Sequence, residues 1–226
     1  MLEILYQDDY LVGINKPNGL LVHRSSIATN TDIYALQLLR DQLNKKVFPC
    51  HRLDRKTSGV LIFALSKEIQ KTMNDAFMNS EISKSYMAIV RGFTEDKGMI
   101  DYALTNDKEK IQDAVTHYKT LSKSEIPVPL GKFKSSRYSL VEVVPITGRM
   151  HQIRKHLAHI FHPIIGDRPH GCNKQNKLFL DKWGMNEMML HAENIKFVHP
   201  ITKVAVEIKA SLPHEFQRMM VVLGLH

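Results

Sequence analysis

Residues 50–64 read Cys50-His51-Arg52-Leu53-Asp54-Arg55-Lys56-Thr57-Ser58-Gly59-Val60-Leu61-Ile62-Phe63-Ala64. The second half of this stretch places four large apolar residues in a row after a Ser-Gly turn, which predicts a buried strand. The first half surrounds one carboxylate, Asp54, with Arg52, Arg55 and Lys56. Because nearby opposite charges favour the ionised form of a carboxylic acid, Asp54 is predicted to be an acceptor or a nucleophile at neutral pH, and a poor general acid.

The simpler interpretation of Asp54 is structural. A carboxylate that caps a turn and pairs with arginine on a solvated loop is a common arrangement that stabilises a protein only slightly. The stretch by itself favours that interpretation. Whether Asp54 is structural or catalytic depends on which other residues of the chain can pair with it or act with it.

The composition is that of a globular protein with an excess of cations. The chain has 226 residues, of which 43% are hydrophobic and 24% are charged, so it can bury a substantial core. Lys and Arg number 31 against 23 Asp and Glu, a formal net charge of +8. This balance favours a polyanionic partner, and nucleic acid before a membrane, because no amphipathic basic helix of the membrane-binding kind stands out.

Cysteine usage and the N-terminus predict a cytoplasmic protein. Cys50 and Cys172 are the two cysteines of the chain, a number typical of free thiols in a reducing compartment. The first residues show no basic region followed by an apolar run, so no signal peptide is expected. No window approaches the ~20 apolar residues of a membrane span.

Hydrophobic periodicity predicts an α+β fold with a mostly antiparallel sheet, in one domain over residues 1–226. Alternating residues on both sides of Asp8-Asp9 predict a hairpin, and residues 166–187 are expected to form a long polar loop. Helical spacing predicts four helices: Asp32 to Asn44, one capped by Ser66, one capped by Thr147 and ended by Pro163, and one after Pro213. Strands and helices do not alternate regularly, which disfavours a parallel βαβ sheet.

The helix predicted after Thr147 has one apolar and one strongly basic side. Its apolar face is expected to include Ile153, Leu157, Ile160 and Phe161, and Arg154 lies at the edge of that face. An arginine at such an edge can reach a partly buried carboxylate and form a bidentate pair. A solvated basic face would be the better interpretation if nothing else in the chain required a cation. Asp54 requires one.

Four histidines of the same helix, His151, His156, His159 and His162, have spacings that zinc sites use. No HExxH pattern, no acidic ligand and no cysteine pair accompanies them. A histidine-rich surface that faces RNA is therefore the stronger hypothesis, and no metal is expected.

Cofactor-binding loops are missing from the sequence. The chain contains neither G-x-G-x-x-G nor G-x-x-x-x-G-K-[ST], and the segment Lys16-Pro17-Asn18-Gly19 has the single glycine of a turn. Ser58-Gly59 lacks the flanking glycine of a nucleophile elbow. Dehydrogenase, kinase and serine-hydrolase functions are therefore disfavoured, and the chemistry is expected to use side chains without a cofactor.

Five motifs follow one another over nearly the whole chain: N-K-P-x-G-x-x-V-H at 15–23, HRLDxxTSG at 51–59, TGRxHQIRxHLA at 147–158, HPIxGD at 162–167 and L-H-A at 190–192. Together they resemble, in sequence and in order, the signature motifs of the RluA family of pseudouridine synthases. Residues 1–8 and 114–118 most resemble tRNA-modifying members of the family. That likeness implies tRNA as the partner and its uridine 65 as the target.

The resemblance also implies the pseudouridine synthase fold, a single catalytic domain with a mixed, mostly antiparallel, bent sheet flanked by helices and loops. No separate N-terminal RNA-binding domain, no cofactor, no metal and a monomeric state are expected. Asp54 matches the catalytic aspartate of the family, and Arg52 matches the arginine that helps to extrude the uridine and fills its place in the stack. Tyr86 matches the tyrosine that stacks on the target base, and Arg154 matches the basic residue that pairs with the catalytic carboxylate.

The chemistry of the reaction agrees with these residues. Isomerising uridine to pseudouridine breaks an N-glycosidic bond, turns the base and rejoins it through C5, so nothing is oxidised and no group is donated. An ionised carboxylate can attack the sugar, or abstract a proton to give a glycal-type intermediate, in a site that excludes water. The target must leave the helical stack, which costs a few kcal/mol. Residues 105–113, 122–136, 166–187 and the basic helix are expected to contact phosphates.

Three alternatives remain open from the sequence. The chain could modify 23S rRNA as a synthase of the same family, or it could be a non-catalytic RNA-binding module on this scaffold. A carboxylate-dependent N-glycosylase is disfavoured, because a single carboxylate lacks the paired acid or base usual in glycoside hydrolysis.

Overall fold

A computed structural model describes residues 1–23 and 33–226 of the chain. This part of the chain contains five helices: α1 (Ala35–Leu43), α2 (Lys67–Met78), α3 (Gln152–His159), α4 (Asn173–Trp183) and α5 (His214–Leu223). It also contains twelve strands: β1 (Glu3–Gln7), β2 (Leu11–Lys16), β3 (Phe48–Pro49), β4 (Ser58–Ala64), β5 (Ser83–Arg91), β6 (Lys97–Asp101), β7 (Leu104–Thr105), β8 (Ile111–Gln112), β9 (Val115–Ile126), β10 (Ser136–Pro145), β11 (Leu190–Val198) and β12 (Ala205–Lys209).

The described residues divide into two compact units. Unit 1 comprises Met1–Lys84, without residues 24–32, together with Ala192–Ser211, and unit 2 comprises Ser85–His191 with Leu212–His226. Asp54 and Arg52 therefore belong to unit 1, and Tyr86 and Arg154 belong to unit 2.

Unit 1 is built around β4, which is buried at every position. Strand β2 pairs with it antiparallel along its whole length, from Leu11 opposite Ala64 to Lys16 opposite Gly59. The strand order is β1-β2-β4-β11, with β3 on β4 and β12 on β11. The hairpin predicted around Asp8 is confirmed, because β1 and β2 pair antiparallel and the Asp8 carboxylate accepts the N–H groups of the turn.

The core of unit 1 lies between this sheet and helix α2. The helix begins as predicted at Ser66, whose Oγ accepts the Ile69 N–H at 3.2 Å. Helix α1 ends at Asn44 in the left-handed conformation, while its predicted start at Asp32 lies outside the described residues. The largest apolar groups of this core are Leu11, Val60, Ile62, Ile69, Met73, Ile82, Ile195, Phe197 and Ile208.

Unit 2 contains an antiparallel sheet in the order β5-β10-β9-β6. Strands β9 and β10 form a long hairpin whose register shifts between Leu140 and Val141. A short pair, β7 with β8, stands apart from this sheet. Helices α3, α4 and α5 contribute to a core that includes Ile89, Val90, Tyr138, Val141, Ile153, Leu157, Phe179, Phe216, Met219 and Leu223.

The long loop predicted over residues 166–187 is wrong for residues 173–183, which fold as α4. Gln175 and Phe179 are buried at helical spacing, and Gly184 ends the helix in the left-handed conformation. The polar composition of this segment conceals the helix, because only these two residues of α4 are buried.

The start and the end of α3 also differ from the prediction. Thr147 does not cap the helix, because its Oγ accepts the Val115 N–H and donates to Gln152 Oε1. The helix begins at Gln152, after His151 in the left-handed conformation. Phe161 lies beyond the helix end with φ 65° and is 86% exposed, so its predicted place on the apolar face is wrong.

The predicted fold class is confirmed. Every pairing between strands for which the structure gives a register is antiparallel, and helices pack on the sheets without βαβ alternation. The assignment of all 226 residues to one domain stays a prediction. No helix among the described residues has the length and apolar character that crossing a bilayer requires.

We expect Phe179→Ala to lower the free energy of unfolding by about 3–5 kcal/mol. The side chain is fully buried and packs edge-on against Tyr138 and Trp183, at centroid distances of 5.5 and 4.8 Å. Leu180→Ala, at the next position of the same helix, is the matched control, because Leu180 is 47% exposed. Urea unfolding of the two variants measures the difference, and equal losses would contradict the assignment of α4 to the core.

Candidate active site

The loop that carries Asp54 is anchored on β4. Cys50 donates its N–H to the Ile62 carbonyl at 2.9 Å, and the Ile62 N–H donates to His51 Nε2 at 3.1 Å. Burial lowers the pKa of His51, so the ring is neutral and can accept that bond. The Thr57 N–H closes a turn on the Asp54 carbonyl at 3.0 Å. The half-buried Asp54 side chain is thus held on a fixed loop beside a fully buried strand.

Gly59 determines how closely this strand approaches its neighbour. Its φ is +110°, and a Cβ at this position would lie 2.1 Å from the carbonyl oxygen of Ala192. Only glycine tolerates both the conformation and the contact. The glycine of the HRLDxxTSG motif and the alanine of the L-H-A motif therefore form one close backbone contact.

Lys16 lies beneath the Asp54 loop with no exposed surface. Its ammonium group donates to the carbonyls of Pro17, Leu20 and Arg55 at 2.9, 2.8 and 3.2 Å. Burial lowers its pKa to about 7, while the nearby charge of Asp54 acts in the opposite direction. From the sequence, Lys16 was predicted only as a turn residue, although its place in the N-K-P-x-G motif was a signal.

Further hydrogen bonds join the same two turns. The Gly19 N–H donates to the Arg55 carbonyl and Arg55 Nε donates to the Gly19 carbonyl, both at 2.9 Å, and Asn18 Nδ2 donates to the Lys56 carbonyl. Arg55, one of the cations that surround Asp54 in the sequence, therefore stabilises the turn of residues 17–20. The N-K-P-x-G and HRLD segments consequently form one structure in unit 1.

Arg52 lies on the exposed side of the Asp54 loop. The neighbouring Leu53 is buried, at 7% exposure, so the loop turns one side chain inward and the other to solvent. An arginine in this position is available to a partner outside the protein.

Tyr86 and Arg154 occupy different elements of unit 2. Tyr86 lies on β5 opposite Val143, is half-buried and packs against the core of the unit. Arg154 lies on α3 and is buried, at 7% exposure.

Arg154 forms a bidentate ion pair with Asp167. Its Nε and Nη2 donate to Oδ2 and Oδ1 at 2.8 and 2.7 Å, and both side chains are almost completely buried. The sequence predicted a buried carboxylate partner for Arg154 but considered only Asp54. Asp167, in the adjacent HPIxGD motif, was missed as a partner. The role of Arg154 toward Asp54 stays a prediction.

The loop that carries Asp167 is fixed by its neighbours in unit 2. Asn176 accepts the Gly166 N–H at 2.9 Å and donates to the Asp167 carbonyl at 2.7 Å. A Cβ on Gly166, whose φ is +81°, would lie 1.7 Å from the Glu187 carbonyl oxygen. The glycine of this motif is therefore required by a close approach of the backbone.

The basic side of α3 is occupied by the segment between β6 and β9. Arg149 Nε donates to the Asp113 carbonyl at 2.9 Å, and Lys155 Nζ donates to the Thr105 carbonyl at 3.2 Å. His156 Nε2 bonds the Tyr102 carbonyl at 2.9 Å. These groups hold the 102–113 segment of the protein, and the contact of the basic helix with RNA phosphates stays a prediction.

The four histidines of this region have separate environments. His151 contacts His170 at 3.0 Å, His159 stacks on the Tyr102 ring at 3.7 Å, and His162 bonds the Arg91 carbonyl. Within residues 1–23 and 33–226, no group of three or more His, Cys, Asp or Glu side chains is arranged to hold a metal ion.

The fold is that of solved RNA-modifying domains. Human RNA Pseudouridylate Synthase Domain Containing 4 matches 98% of this chain and 93% of its own with a TM-score of 0.76 and 27% identity. Human RNA Pseudouridylate Synthase Domain Containing 1 matches 94% of this chain and 84% of its own with a TM-score of 0.75 and 24% identity, a likeness in fold alone.

Sequence comparisons identify the family. A family model described as RNA pseudouridylate synthase matches residues 10–159. The tRNA pseudouridine synthase C of Vibrio vulnificus is 47% identical over 97% of this chain and 94% of its own, and that of Haemophilus influenzae is 45% identical over 99% and 98%. The chain belongs to the RNA pseudouridylate synthase family. The family and the enzyme class predicted from the motifs, an isomerase, are confirmed.

We expect the stability of the protein to rise with pH above 7 because of Lys16. The pKa of this group is 10.5 ordinarily and about 7 in the fold, so below pH 7 both states carry the proton and the cost of burying the charge is fully present. Between these values the unfolded chain binds more protons, and the free energy of unfolding rises by up to about 1.4 kcal/mol per pH unit.

Urea unfolding between pH 6 and pH 9 checks this dependence against two variants. In Lys16→Met the free energy of unfolding should rise less with pH than in the wild type. Lys71→Met, which changes an exposed lysine of α2, should show the pH dependence of the wild type. Parallel curves for the wild type and Lys16→Met would contradict a depressed pKa for Lys16.

We expect the two partners of the Arg154–Asp167 pair to show strong coupling. Arg154→Met or Asp167→Leu alone should lower the free energy of unfolding by about 3–5 kcal/mol, because each leaves a buried charge unpaired. The double variant should be more stable than either single variant. The exposed pair of Lys177 and Asp181 provides the control, since its removal should cost less than about 1 kcal/mol. Additive losses at Arg154 and Asp167 would contradict the pairing.

Proposed function

We propose that this protein isomerises a uridine of tRNA to pseudouridine, with Asp54 as the catalytic carboxylate. The curated relatives bear the name tRNA pseudouridine synthase C and align with nearly the whole chain. The observation that carries the role of Asp54 is its place on a rigid loop, half-buried, between a fully buried strand and the buried Lys16.

The proposed chemistry requires no external reagent. The C1′–N1 bond breaks, the base turns, a C1′–C5 bond forms, and the proton lost from C5 is balanced by one gained at N1. Asp54 acts in the first stage, either by attack on C1′ or by abstraction of a sugar proton that gives a glycal. A loop held by buried hydrogen bonds suits both routes, because its geometry needs no rearrangement during the reaction.

Arg52 and Tyr86 are proposed to extrude the target base from the RNA stack and to hold it in the site. The exposed Arg52 is able to enter the stack that the uridine leaves, which offsets part of the few kcal/mol that unstacking costs. Tyr86 is half-buried against the core, so its ring has the fixed orientation that stacking on a base requires.

Arg154 is proposed to support the catalytic carboxylate. Asp167 takes Nε and one hydrogen of Nη2, which fixes the plane of the guanidinium group. A guanidinium group held in this way can address a second carboxylate without losing side-chain entropy. Loss of Arg154 should therefore reduce kcat much more than the affinity for tRNA.

The target and the location complete the proposal. The name of the curated relatives, tRNA pseudouridine synthase C, favours tRNA over 23S rRNA as the substrate, and uridine 65 is the target that the resemblance to the family implies. A cytoplasmic location agrees with Cys50 and Cys172, which are both free thiols.

We expect Asp54→Asn to lower the rate of pseudouridine formation by on the order of 10³-fold or more, while the Kd for tRNA remains near that of the wild type. Asp41→Asn, which changes an exposed carboxylate of α1, is the control and should retain full activity. The assay incubates purified protein with unmodified tRNA or 23S rRNA and measures pseudouridine and free uracil.

Each outcome of this assay has a distinct meaning. Retained activity in Asp54→Asn would contradict the catalytic role of Asp54. Product in rRNA alone would replace the proposed substrate, and free uracil would indicate a glycosylase. Binding of tRNA without product by the wild type would indicate a non-catalytic RNA-binding module.

A further inference from the structure

Two exposed aromatic rings lie at the turn end of the β9–β10 hairpin in unit 2. Phe133 is 59% exposed, and Lys132 Nζ lies 5.6 Å from the centre of its ring. Phe93 is 40% exposed, and the guanidinium carbon of Arg137 lies 5.1 Å from the centre of its ring. We call these four residues the hairpin end. Each aromatic ring in it is paired with a cation.

The turn that carries Phe133 is closed rather than loose. Leu130 and Phe133 exchange two hydrogen bonds between N–H and carbonyl groups, at 3.0 and 3.2 Å. Gly131 supplies the positive φ of the turn, and Ser136 Oγ donates to the Val128 carbonyl at 2.8 Å. The Phe133 ring is therefore displayed to solvent on an ordered backbone, where it adds little to the core.

Phe93 and Arg137 are also held in place. The Gly92 N–H donates to the Arg137 carbonyl at 2.7 Å, which brings the two segments together. Arg137 Nε donates to Glu125 across the hairpin at 3.0 Å, so the guanidinium plane is fixed next to Phe93. Since the four residues from Phe133 to Arg137 span at most about 14 Å, both rings lie at the same end of the hairpin and can face one stretch of a strand.

The charge around the rings is positive. Lys123, Lys132, Lys134 and Arg137 are four cations, and Asp96 and Glu125 each pair with one of them, which leaves a balance of +2 for the six groups. Arg91 and Glu95, on either side of Phe93, add one charge of each sign.

We propose that the hairpin end binds an unpaired stretch of the substrate RNA, with bases stacked on Phe133 and Phe93 and with Lys132, Lys134 and Arg137 at the phosphates. Aromatic rings interleaved with cations are the elements by which proteins hold single-stranded nucleic acid. A protein partner fits less well, because lysine is depleted at the centre of protein interfaces. The proposal rests on the proposed function and deepens it.

The position of the hairpin end determines which RNAs can use it. Helix α3 is bonded to the opposite end of β9, where Gln152 Nε2 donates to the Val115 carbonyl. The twelve residues of β9 separate Val115 from the turn by about 35 Å. An RNA that contacts both α3 and the hairpin end must span that distance, so a short stem around the target uridine should not reach Phe133.

The test uses Phe133→Ser and the double variant Lys132→Glu with Lys134→Glu, in the full chain. The substrates are an unmodified tRNA transcript and a short hairpin, excised around the uridine that the wild type modifies, too small to span 35 Å. Met99→Ser is the control for an exposed apolar group, and Lys67→Glu with Lys71→Glu, which changes two exposed lysines of α2, is the control for charge. Thermal unfolding verifies that each variant is folded.

We expect Phe133→Ser to raise Kd and KM for the whole tRNA by about five- to a hundredfold with kcat unchanged, and to leave the short hairpin unaffected. The lysine variant should weaken tRNA binding and also reduce the slope of log Kd against log salt by about 1.4, whereas Phe133→Ser should leave that slope as it is. The controls should match the wild type.

The proposal is overturned if Phe133→Ser binds the whole tRNA with the Kd of the wild type. It is also overturned if this variant loses as much affinity for the short hairpin as for the whole tRNA. A change in oligomeric state by sedimentation with unchanged RNA binding would identify a protein interface and would also overturn it. Failure of the proposed function can be distinguished from failure of this proposal, because in that case the wild type forms no pseudouridine. The Kd for tRNA still tests the hairpin end in that case.

Discussion

The buried ammonium group of Lys16 is the constraint on which the candidate site depends. A charged group without access to water is costly unless hydrogen bonds satisfy it, and here three carbonyl oxygens do so. Two of these oxygens belong to the turn after β2 and the third belongs to Arg55, next to Asp54. Since the lysine is satisfied only when both turns are closed, two segments 36 residues apart must form together.

Unit 2 also contains a buried cation, Arg154, which is paired with a buried carboxylate. The Arg154–Asp167 pair is buried, and such a pair contributes little net stability compared with apolar packing. Its effect is geometric, because the bidentate pair fixes the guanidinium plane and ties α3 to the following loop. Asn176 and Gly166 then fix that loop from the side of α4. A buried cation thus orders the surroundings of a predicted site residue in each unit.

Local patterns in the sequence were sufficient where one interaction dominates. The apolar run of β4, the alternation around Asp8 and the Ser66 cap were predicted because burial, pleat and capping each act within a few residues. Helix α4 was missed because its buried face is only Gln175 and Phe179, and this narrow face becomes apparent only from the tertiary packing. The partners of Thr147 and Arg154 were missed for the same reason, since Val115 and Asp167 compete for them from other segments.

Net charge and charge location carry different information about RNA binding. The +8 balance of the chain correctly indicated a polyanionic partner for a family that acts on RNA, but it does not identify the surface that makes the contact. Carbonyl groups of the 102–113 segment accept hydrogen bonds from Arg149, Lys155 and His156. Each of these bonds takes up one donor, and Arg149 and Lys155 keep further N–H groups that can reach a phosphate. A cation that lies on an aromatic face keeps its N–H groups for a phosphate, as Lys132 does beside Phe133, whereas Arg137 shares its Nε with Glu125.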